Sequence, residues 1–234
     1  MLVIKWYDMQ LEQNLKGLCA KFGLDFQEFL SDLDVEDVHE LTLFDLEAIC
    51  EEYEVDILSL LFKPIFRANQ WKTKAKNIKL LVIDIDGVLT DGGMYFTESG
   101  DQIKKYNTKD GMGIIKLQEK GVQVAFLSSG FTNKMISARA EMLGVKLCYV
   151  GREKKIDILN QWLIDLNLDL KQVAYLGDDI NDLNCIRKVG FTACPSNALN
   201  AVKTEVDIIL SLRGGEGCAR EFIDSYLLES PISE

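Results

Sequence analysis

The sequence predicts an α/β fold whose larger part is a doubly wound, mostly parallel sheet, preceded by a small all-α domain. Two observations predict it. From residue 78 onward, short apolar runs rich in β-prone residues alternate with segments of helical periodicity. Before residue 63, apolar residues recur only at helical spacing. The chain has 234 residues, enough for one large domain or two small ones.

The first 63 residues are predicted to form an all-helical module. A first helix is indicated by apolar residues at helical spacing, namely Leu11, Leu15, Leu18 and Cys19. Three further helices are expected over 25–30, 41–53 and 55–62, and Thr42 is a candidate N-cap of the third helix.

The charge of the chain is unevenly distributed. Residues 8–62 carry 15 acidic and 2 basic side chains, a net charge of −13, whereas residues 63–76 carry five basic and no acidic ones. We therefore place a basic linker at 64–77, between an acidic helical module at 1–63 and an α/β domain at 78–234.

The two ends of the helical pattern resemble a helix-turn-helix domain of the phage-repressor type, but the resemblance is truncated. Only the short polar segment 36–40 lies where such domains carry the recognition helix. A net charge of −13 also repels the phosphate backbone that supplies most non-specific DNA affinity. These features disfavour a transcription factor, which is one alternative, and predict a protein-docking or oligomerisation module.

The α/β domain is predicted to contain six strands, six helices and a β-hairpin insertion. The strands are expected at 78–84, 122–127, 145–149, 172–176, 190–194 and 206–210. The helices are expected at 110–120, 132–143, 153–167, 179–188, 196–203 and 216–228, and the hairpin at 93–107. Right-handed crossovers bring the carboxyl ends of such strands to one edge of a Rossmann-like sheet.

Two carboxylates follow the first of these strands. Asp84 and Asp86 come directly after the apolar run 78–83. Side chains at i and i+2 of an extended chain point the same way, so the two charges repel unless a cation or a shared proton holds them. A turn that begins with Asp-Gly is the structural alternative. A second acidic run, 178–182, follows a later strand in the same manner.

Two further polar groups lie at element ends between the acidic runs. Ser128 ends the strand at 122–127, and Lys154 and Lys155 begin the helix at 153–167. Aspartates, a hydroxyl, a lysine and further aspartates in this order resemble the haloacid dehalogenase superfamily of phosphotransferases. The resemblance covers residues 78–228.

The resemblance implies a role in phosphoryl transfer for each of these residues. Asp84 is the expected nucleophile, and Asp86 is the expected general acid and base. Ser128 is expected to bind a phosphate oxygen. Lys155, or the adjacent Lys154, is expected to neutralise the phosphoryl group.

The resemblance also implies a Mg²⁺ site. Asp178 is expected to bind the ion together with Asp84 and the backbone carbonyl of Asp86. Asp179 is expected to be a ligand or to support one, and Asp182 to support one. Ligation by oxygen alone suits Mg²⁺. The structural alternative, in which the later aspartates cap a helix, does not account for the earlier pair.

Neither interval between the motifs has room for a cap domain of the usual kind. Residues 87–127 hold the hairpin and one helix, and the next interval holds one helix and one strand. An open site would leave a phosphoenzyme exposed to water, so we expect a neighbouring subunit to cover it. In capless phosphatases of the superfamily an equivalent hairpin packs in a homotetramer, and the resemblance implies the same assembly here.

Three further segments narrow the resemblance to phosphatases of acidic keto-sugars, which act on 3-deoxy-D-manno-octulosonate 8-phosphate or on 2-keto-3-deoxynononate 9-phosphate. These segments are 90–93, 107–114 and 213–222. Such substrates belong to lipopolysaccharide and sialic acid biosynthesis. The expected substrate-binding residues are Ser129, Asp110, Arg139, Arg213 and Arg220. Arginine offers a planar fork to a sugar carboxylate, although each arginine could instead form a surface ion pair.

The segment that selects the sugar departs from both groups of enzymes. Octulosonate enzymes usually have Thr-Gly-Arg after the second strand, and nononate enzymes have Thr-Gly-Glu with a lysine further on. This chain has Ser-Ser-Gly at 128–130 and Met142 at the place of the lysine. The sequence therefore leaves open which of the two sugars is the substrate. A non-catalytic subunit related to the phosphatase-like domains of sialic-acid cytidylyltransferases is the alternative, and the complete set of carboxylates argues against it.

The composition disfavours several other classes. No apolar run approaches the length of a transmembrane helix, and the N-terminus lacks the apolar core of a signal peptide. Six cysteines are scattered without a Cys-x-x-Cys pair, which predicts reduced thiols in a cytoplasmic protein. The single histidine, His39, lies outside the motifs, so the chemistry is expected from carboxylates, hydroxyls and lysines.

Overall fold

The computed structural model describes residues 2–62, 70–130 and 134–228 of the chain. The chain divides into two compact units, Met1–Gln70 and Trp71–Glu234, and each unit has an apolar core of its own. The division falls inside the predicted linker at 64–77. Residues 64–69 of that linker, and residues 132–133 of a predicted helix, lie outside the described residues.

The first unit consists of helices around a small core. Its elements are α1 (Leu2–Phe22), α2 (Phe26–Asp32), a 3₁₀ turn (Val38–Glu40), α3 (Leu43–Glu52) and α4 (Ile57–Phe62). Leu15, Leu18 and Leu60 are fully buried, because the apolar spacing of α1 places one face of that helix against α4. Only the three-residue turn lies where a recognition helix would stand, so the helix-turn-helix resemblance is incomplete.

The second unit opens with a helix in the basic segment and continues as alternating strands and helices. Its helices are α5 (Gln70–Lys76), α6 (Thr108–Glu119), α7 (Lys134–Met142), α8 (Lys155–Leu166), α9 (Leu183–Ile186), α10 (Asn200–Lys203) and α11 (Cys218–Phe222). Its strands are β1 (Leu80–Ile83), β2 (Tyr95–Phe96), β3 (Gln102–Ile103), β4 (Gln123–Ser128), β5 (Leu147–Val150), β6 (Val173–Leu176), β7 (Phe191–Cys194) and β8 (Ile208–Ile209).

The sheet confirms the predicted doubly wound α/β fold. Six strands lie in the order β5-β4-β1-β6-β7-β8, and all neighbouring pairs are parallel. The chain first adds β4 and β5 on one side of β1, and then crosses back to add β6, β7 and β8 on the other side. β2 and β3 form a separate antiparallel hairpin, as predicted. The reversal beside β1 is the place where open α/β sheets bind ligands.

Helices on both faces of the sheet bury its central strands. All four residues of β1 are inaccessible to solvent, which is why this strand is a continuous apolar run. The predicted helix at 179–188 is instead a 3₁₀ turn (Ile180–Asp182) followed by α9, and α10 has only four residues. None of the described helices is both long and apolar enough to cross a lipid bilayer.

Candidate active site

The carboxyl ends of three adjacent strands bring the polar residues of the motifs together. Ile83 at the end of β1 pairs with Phe126 of β4 on one side and with Leu176 of β6 on the other. Asp84 directly follows β1, and the backbone N–H of Asp84 donates to the Leu176 carbonyl at 2.9 Å. Ser128 ends β4, and Asp178 comes two residues after β6. The parallel register of β4, β1 and β6 thus places these residues at one edge of the sheet.

A buried lysine joins the first aspartate to the last. The side chain of Lys155, the first residue of α8, is 3% exposed, and its ammonium donates to Asp84 Oδ1 and to Asp182 Oδ1, both at 2.7 Å. Burial lowers the pKa of Lys155, but the negative charges of Asp84 and Asp182 raise it by a larger amount. The pKa of Lys155 therefore lies above its usual value. Lys155 therefore stays charged in a buried site.

Asp182 uses both of its carboxylate oxygens inside the protein. Oδ1 accepts from Lys155 and from the Tyr175 hydroxyl at 2.7 Å each. Oδ2 accepts from the backbone N–H groups of Asp178 at 3.0 Å and Asp179 at 3.3 Å. Asp182 thus fixes the turn after β6 and the position of Lys155, which leaves it little capacity to bind a metal ion.

The carboxylates of this site fit a hard divalent cation. One oxygen from each of Asp84, Asp178 and Asp182 lies within 4.8 Å of the others. Asp178 Oδ1 is buried without a hydrogen-bond partner, and such an atom is costly unless something binds it. Burial and then the repulsion by Asp84 raise the pKa of Asp178 to about 8. Burial and Asp182 also raise the pKa of Asp84. A cation between Asp84 and Asp178 would relieve both penalties.

Gly87 makes room for the Asp178 carboxylate. Its backbone has φ of +94°, and a Cβ atom built on it would lie 2.6 Å from Asp178 Cγ. The turn at Ile85–Leu89 is non-helical at Asp86 and Gly87, and this bend directs the chain across the end of β6. Glycine is needed here both for its positive φ and for the close approach of the carboxylate.

The remaining motif residues line the same edge. Ser128 is buried, and its Oγ accepts from the Gly130 N–H at 3.1 Å. A Cβ atom built on Gly130 would lie 3.2 Å from Ser128 Oγ and 3.9 Å from Asp86 Oδ2, so Asp86 and Ser128 face the same small space. Asp86 Oδ1 forms an ion pair with the Lys104 ammonium, which comes from the hairpin.

Comparisons with known proteins agree with this geometry. Residues 152–221 match the family model of haloacid dehalogenase-like hydrolases. The chain is 35% identical over 156 residues to 3-deoxy-D-manno-octulosonate 8-phosphate phosphatase KdsC of Salmonella typhi, which covers 67% of this chain and 82% of that enzyme. The chain belongs to this phosphatase family.

Two solved structures of the family extend the comparison. A probable phosphatase from Pseudomonas syringae is 44% identical, has a TM-score of 0.65, and covers 67% of this chain and 90% of its own. The octulosonate phosphatase of Moraxella catarrhalis, in complex with a magnesium ion, a phosphate ion and the sugar, is 31% identical with a TM-score of 0.66. It covers 68% of this chain and 91% of its own. Together with the carboxylate cluster described above, this relative confirms the predicted Mg²⁺ cofactor. Membership of the family confirms the prediction that the chain is a phosphatase.

Two predicted neighbours of the cluster lie outside it. Lys154 is exposed at the N-cap position of α8, so Lys155 is the lysine that reaches the aspartates. Asp179 is exposed, and its carboxylate accepts from the Ile180 N–H at 2.6 Å. Asp179 thus caps the 3₁₀ turn of this phosphatase. Among the described residues the cluster consists of Asp84, Asp178 and Asp182. After burial, Asp84 and Asp182, the charge of Asp179 also raises the pKa of Asp178.

The expected substrate-binding residues divide into two groups. Asp110 is buried and accepts from the Arg220 N–H at 2.8 Å, so it holds the start of α11 against α6. Arg220 forms an ion pair with Asp224. Arg139 lies over the Tyr106 ring, 5.6 Å from its centroid. Of these three contacts, the one between Asp110 and Arg220 joins two helices, α6 and α11. A second group, Ser129 and Arg213, lies on loops: Ser129 Oγ is 3.3 Å from Asn181 Nδ2, and Arg213 is exposed.

Sequence patterns did not indicate two residues of the site. Tyr175 lies inside β6 and looks like an ordinary core residue, yet its hydroxyl binds Asp182. Lys104 is one of two adjacent hairpin lysines, and nothing in the sequence shows which of them turns inward. A tyrosine two residues before the Gly-Asp-Asp run at 177–179 was the available sequence signal for the first.

We predict that Gly87→Ala removes Mg²⁺-dependent activity. The new methyl group would overlap the Asp178 carboxylate, and alanine is strained at φ of +94°. The expected result is a loss of phosphatase activity of at least ~100-fold, comparable to the loss of a group that stabilises the transition state. Phosphate release and calorimetric titration with Mg²⁺ measure the two effects. Gly100→Ala is the matched control, since Gly100 has φ of +86° but no atom within 4 Å of a new Cβ.

The stabilisation by Mg²⁺ is expected to increase with pH. Without metal, the raised pKa of Asp178 means that the folded protein keeps a proton that the unfolded chain releases. The free energy of unfolding of the metal-free protein therefore falls as the pH rises from about 4 to about 8. Mg²⁺ binds the deprotonated carboxylates, so it adds about 2.7 kcal/mol at a hundred times its Kd near pH 8 and less at lower pH.

Urea unfolding with EDTA or with Mg²⁺, repeated across this pH range, measures the effect. A stabilisation by Mg²⁺ that is independent of pH would contradict the role of Asp178. Asp165→Asn serves as the control, because Asp165 is exposed near the C-terminal end of α8 and accepts a hydrogen bond from Gln161.

Proposed function

We propose that this chain is a Mg²⁺-dependent phosphatase that removes the terminal phosphate of 3-deoxy-D-manno-octulosonate 8-phosphate. The observation that carries the proposal is Asp84, held by Lys155 and facing the unpartnered oxygen of Asp178 at the carboxyl end of β1. Relatives that carry this enzyme's name, one of them holding magnesium, phosphate and the sugar, support it. The corresponding pathway is lipopolysaccharide biosynthesis, and the proposed location is the cytoplasm.

The first half-reaction transfers the phosphoryl group to the protein. A carboxylate oxygen of Asp84 attacks phosphorus, the bond between phosphorus and the sugar oxygen breaks, and Asp86 gives its proton to the leaving oxygen. Lys155 and the Ser128–Gly130 loop bind the phosphoryl oxygens. Bound Mg²⁺ neutralises charge on the phosphoryl group and lowers its repulsion by the aspartates.

The second half-reaction hydrolyses the aspartyl phosphate. Asp86, now a carboxylate, takes a proton from water as the water oxygen attacks phosphorus. The bond between phosphorus and Asp84 breaks, which restores both carboxyl groups to their initial states and releases inorganic phosphate. Positioning and charge neutralisation supply most of the rate in such reactions.

Arg213 is the arginine that we propose to bind the sugar carboxylate. Its loop is anchored on the turn at residues 84–89, called the catalytic turn below, because the Gly215 N–H donates to the Val88 carbonyl at 2.8 Å. Gly214 also lies against Gly87, where a Cβ atom would be 2.5 Å from the carbonyl carbon. Arg213 therefore stands on the rim beside the turn that carries Asp86. Ser129, on the opposite loop, is the proposed partner for a sugar hydroxyl.

We propose that the hairpin packs against a neighbouring subunit in a homotetramer. Met94, Tyr95, Phe96 and Ile103 are all about half exposed or more, and Tyr95 and Ile103 are cross-strand partners. A cluster of exposed apolar side chains of this kind is typical of an interface. In the first unit, Phe44 is 82% exposed and Leu43 and Leu58 are also exposed, which supports a protein-docking role for that acidic module.

The proposed reaction predicts release of phosphate from the octulosonate 8-phosphate in the presence of Mg²⁺. EDTA and Asp84→Asn are each expected to reduce kcat/KM by ~10⁴-fold or more, since one removes charge neutralisation and the other removes the nucleophile. Trapping with ³²P-labelled substrate and acid is expected to label the wild type at Asp84 and to leave Asp84→Asn unlabelled.

2-Keto-3-deoxynononate 9-phosphate is the comparison substrate, because Met142, 74% exposed, stands at the place of the lysine expected in nononate enzymes. A higher kcat/KM on the nononate phosphate than on the octulosonate phosphate would show that the nononate phosphate is the preferred substrate and would contradict the proposal. No turnover of either sugar by well-folded, Mg²⁺-loaded protein would favour the non-catalytic subunit.

Substituting the hairpin residues is expected to disrupt the tetramer. Phe96→Ser together with Ile103→Ser removes apolar area from the proposed interface, so sedimentation velocity is expected to show dimers or monomers and a lower specific activity. Ile164→Ser is the matched control, because Ile164 on α8 is 74% exposed and lies away from the hairpin sequence. A wild type that sediments as a monomer would contradict the proposed assembly.

A further inference from the structure

Lys104 is a hairpin lysine that turns inward to the active site. It follows β3 directly, and its ammonium forms an ion pair with Asp86 Oδ1. The side chain of Lys104 is 4% exposed, whereas that of Asp86 is 40% exposed. The lysine, not the aspartate, is thus the enclosed member of the pair.

The burial of Lys104 separates it from ordinary surface ion pairs. Among the ion-paired lysines of the described residues, Lys16, Lys74 and Lys116 have side chains that are 38% exposed or more. Lys104 and Lys155, by contrast, have side chains that are 4% and 3% exposed, and both bind an aspartate of the catalytic turn. Removing an ammonium from water is costly, so a lysine enclosed in this way needs its partner.

The ion pair between Lys104 and Asp86 gives the two carboxylate oxygens of Asp86 different surroundings. Oδ1 is held by Lys104, while Oδ2 faces Gly130 and the space beside Ser128 Oγ. Without such a contact the terminal torsion of an aspartate side chain is broad, so its two oxygens exchange places. With Oδ1 fixed, Oδ2 is the atom that is presented to the Ser128–Gly130 loop.

We infer that Lys104 is a positioning residue, which holds Asp86 so that Oδ2 exchanges protons with the sugar oxygen and then with water. The inference rests on the proposed function, in which Asp86 is the acid and base. Lys104 acts through Asp86 and touches no reacting atom. It also makes the hairpin part of the catalytic arrangement, because the base of the hairpin supplies this contact.

Kinetics on two substrates that differ in leaving group test the inference. The leaving oxygen of the keto-sugar phosphate needs a proton. The leaving group of p-nitrophenyl phosphate is a stable phenolate, which departs without one. In Lys104→Met, kcat on the sugar phosphate is expected to fall by ~10- to 100-fold, part of the usual contribution of general acid catalysis, with KM nearly unchanged. The pre-steady-state burst of nitrophenolate is expected to keep its wild-type rate, and the slower turnover after the burst reports the second proton transfer.

The adjacent lysine provides the matched control. Lys105→Met changes the charge equally but removes an exposed side chain, and it is expected to keep wild-type kinetics on both substrates. Lys104→Arg keeps a cation at the site and is expected to recover part of kcat. Circular dichroism and Mg²⁺ titration show whether each variant is folded and binds metal.

Three results would overturn the inference: a rise in KM alone, an equal loss of the burst rate and of sugar turnover, or the same loss in Lys105→Met. The wild type separates this inference from the proposed function. A wild type inactive on both substrates contradicts both, whereas an active wild type matched by Lys104→Met contradicts the role of Lys104 alone.

Discussion

The repulsion between buried carboxylates is the constraint on which the catalytic unit depends. Asp84, Asp178 and Asp182 converge at the carboxyl end of the central strands, and a single buried lysine, Lys155, offsets part of their charge. One lysine cannot balance three aspartates, and a divalent cation between Asp84 and Asp178 would offset the remaining negative charge. The fold supplies the convergence, and the excess negative charge supplies the affinity for the metal.

The fold was largely predictable because the central strands are buried on both faces. Continuous apolar runs such as Leu80–Ile83 have no polar interruption, and the helices between them have the ordinary period of 3.6 residues. The helix predicted at 179–188 was wrong in its first turn. There, Asp182 bonds the N–H groups of Asp178 and Asp179, and this tight network favours a 3₁₀ turn over a regular helix.

The candidate site was predictable where topology alone decides proximity. Residues directly after β1, β4 and β6 must meet once the strands are parallel and adjacent, and Asp84, Ser128 and Asp178 do so. Side-chain direction over longer distances was not predictable. The sequence does not show that Asp110 and Arg220 serve the contact between α6 and α11, because a buried carboxylate that accepts backbone N–H groups leaves no periodic signal.

The backbone contact of Gly214 and Gly215 with the turn at residues 87–91 has a consequence for how the chain matures. Asp84, the proposed nucleophile, lies near the start of the α/β unit, but the loop that braces its turn is synthesised more than a hundred residues later. During translation, the catalytic turn remains without this brace until the loop has left the ribosome. Proteolytic cleavage close to residue 214 would likewise release the turn, although Asp84, Ser128 and Lys155 would still be present.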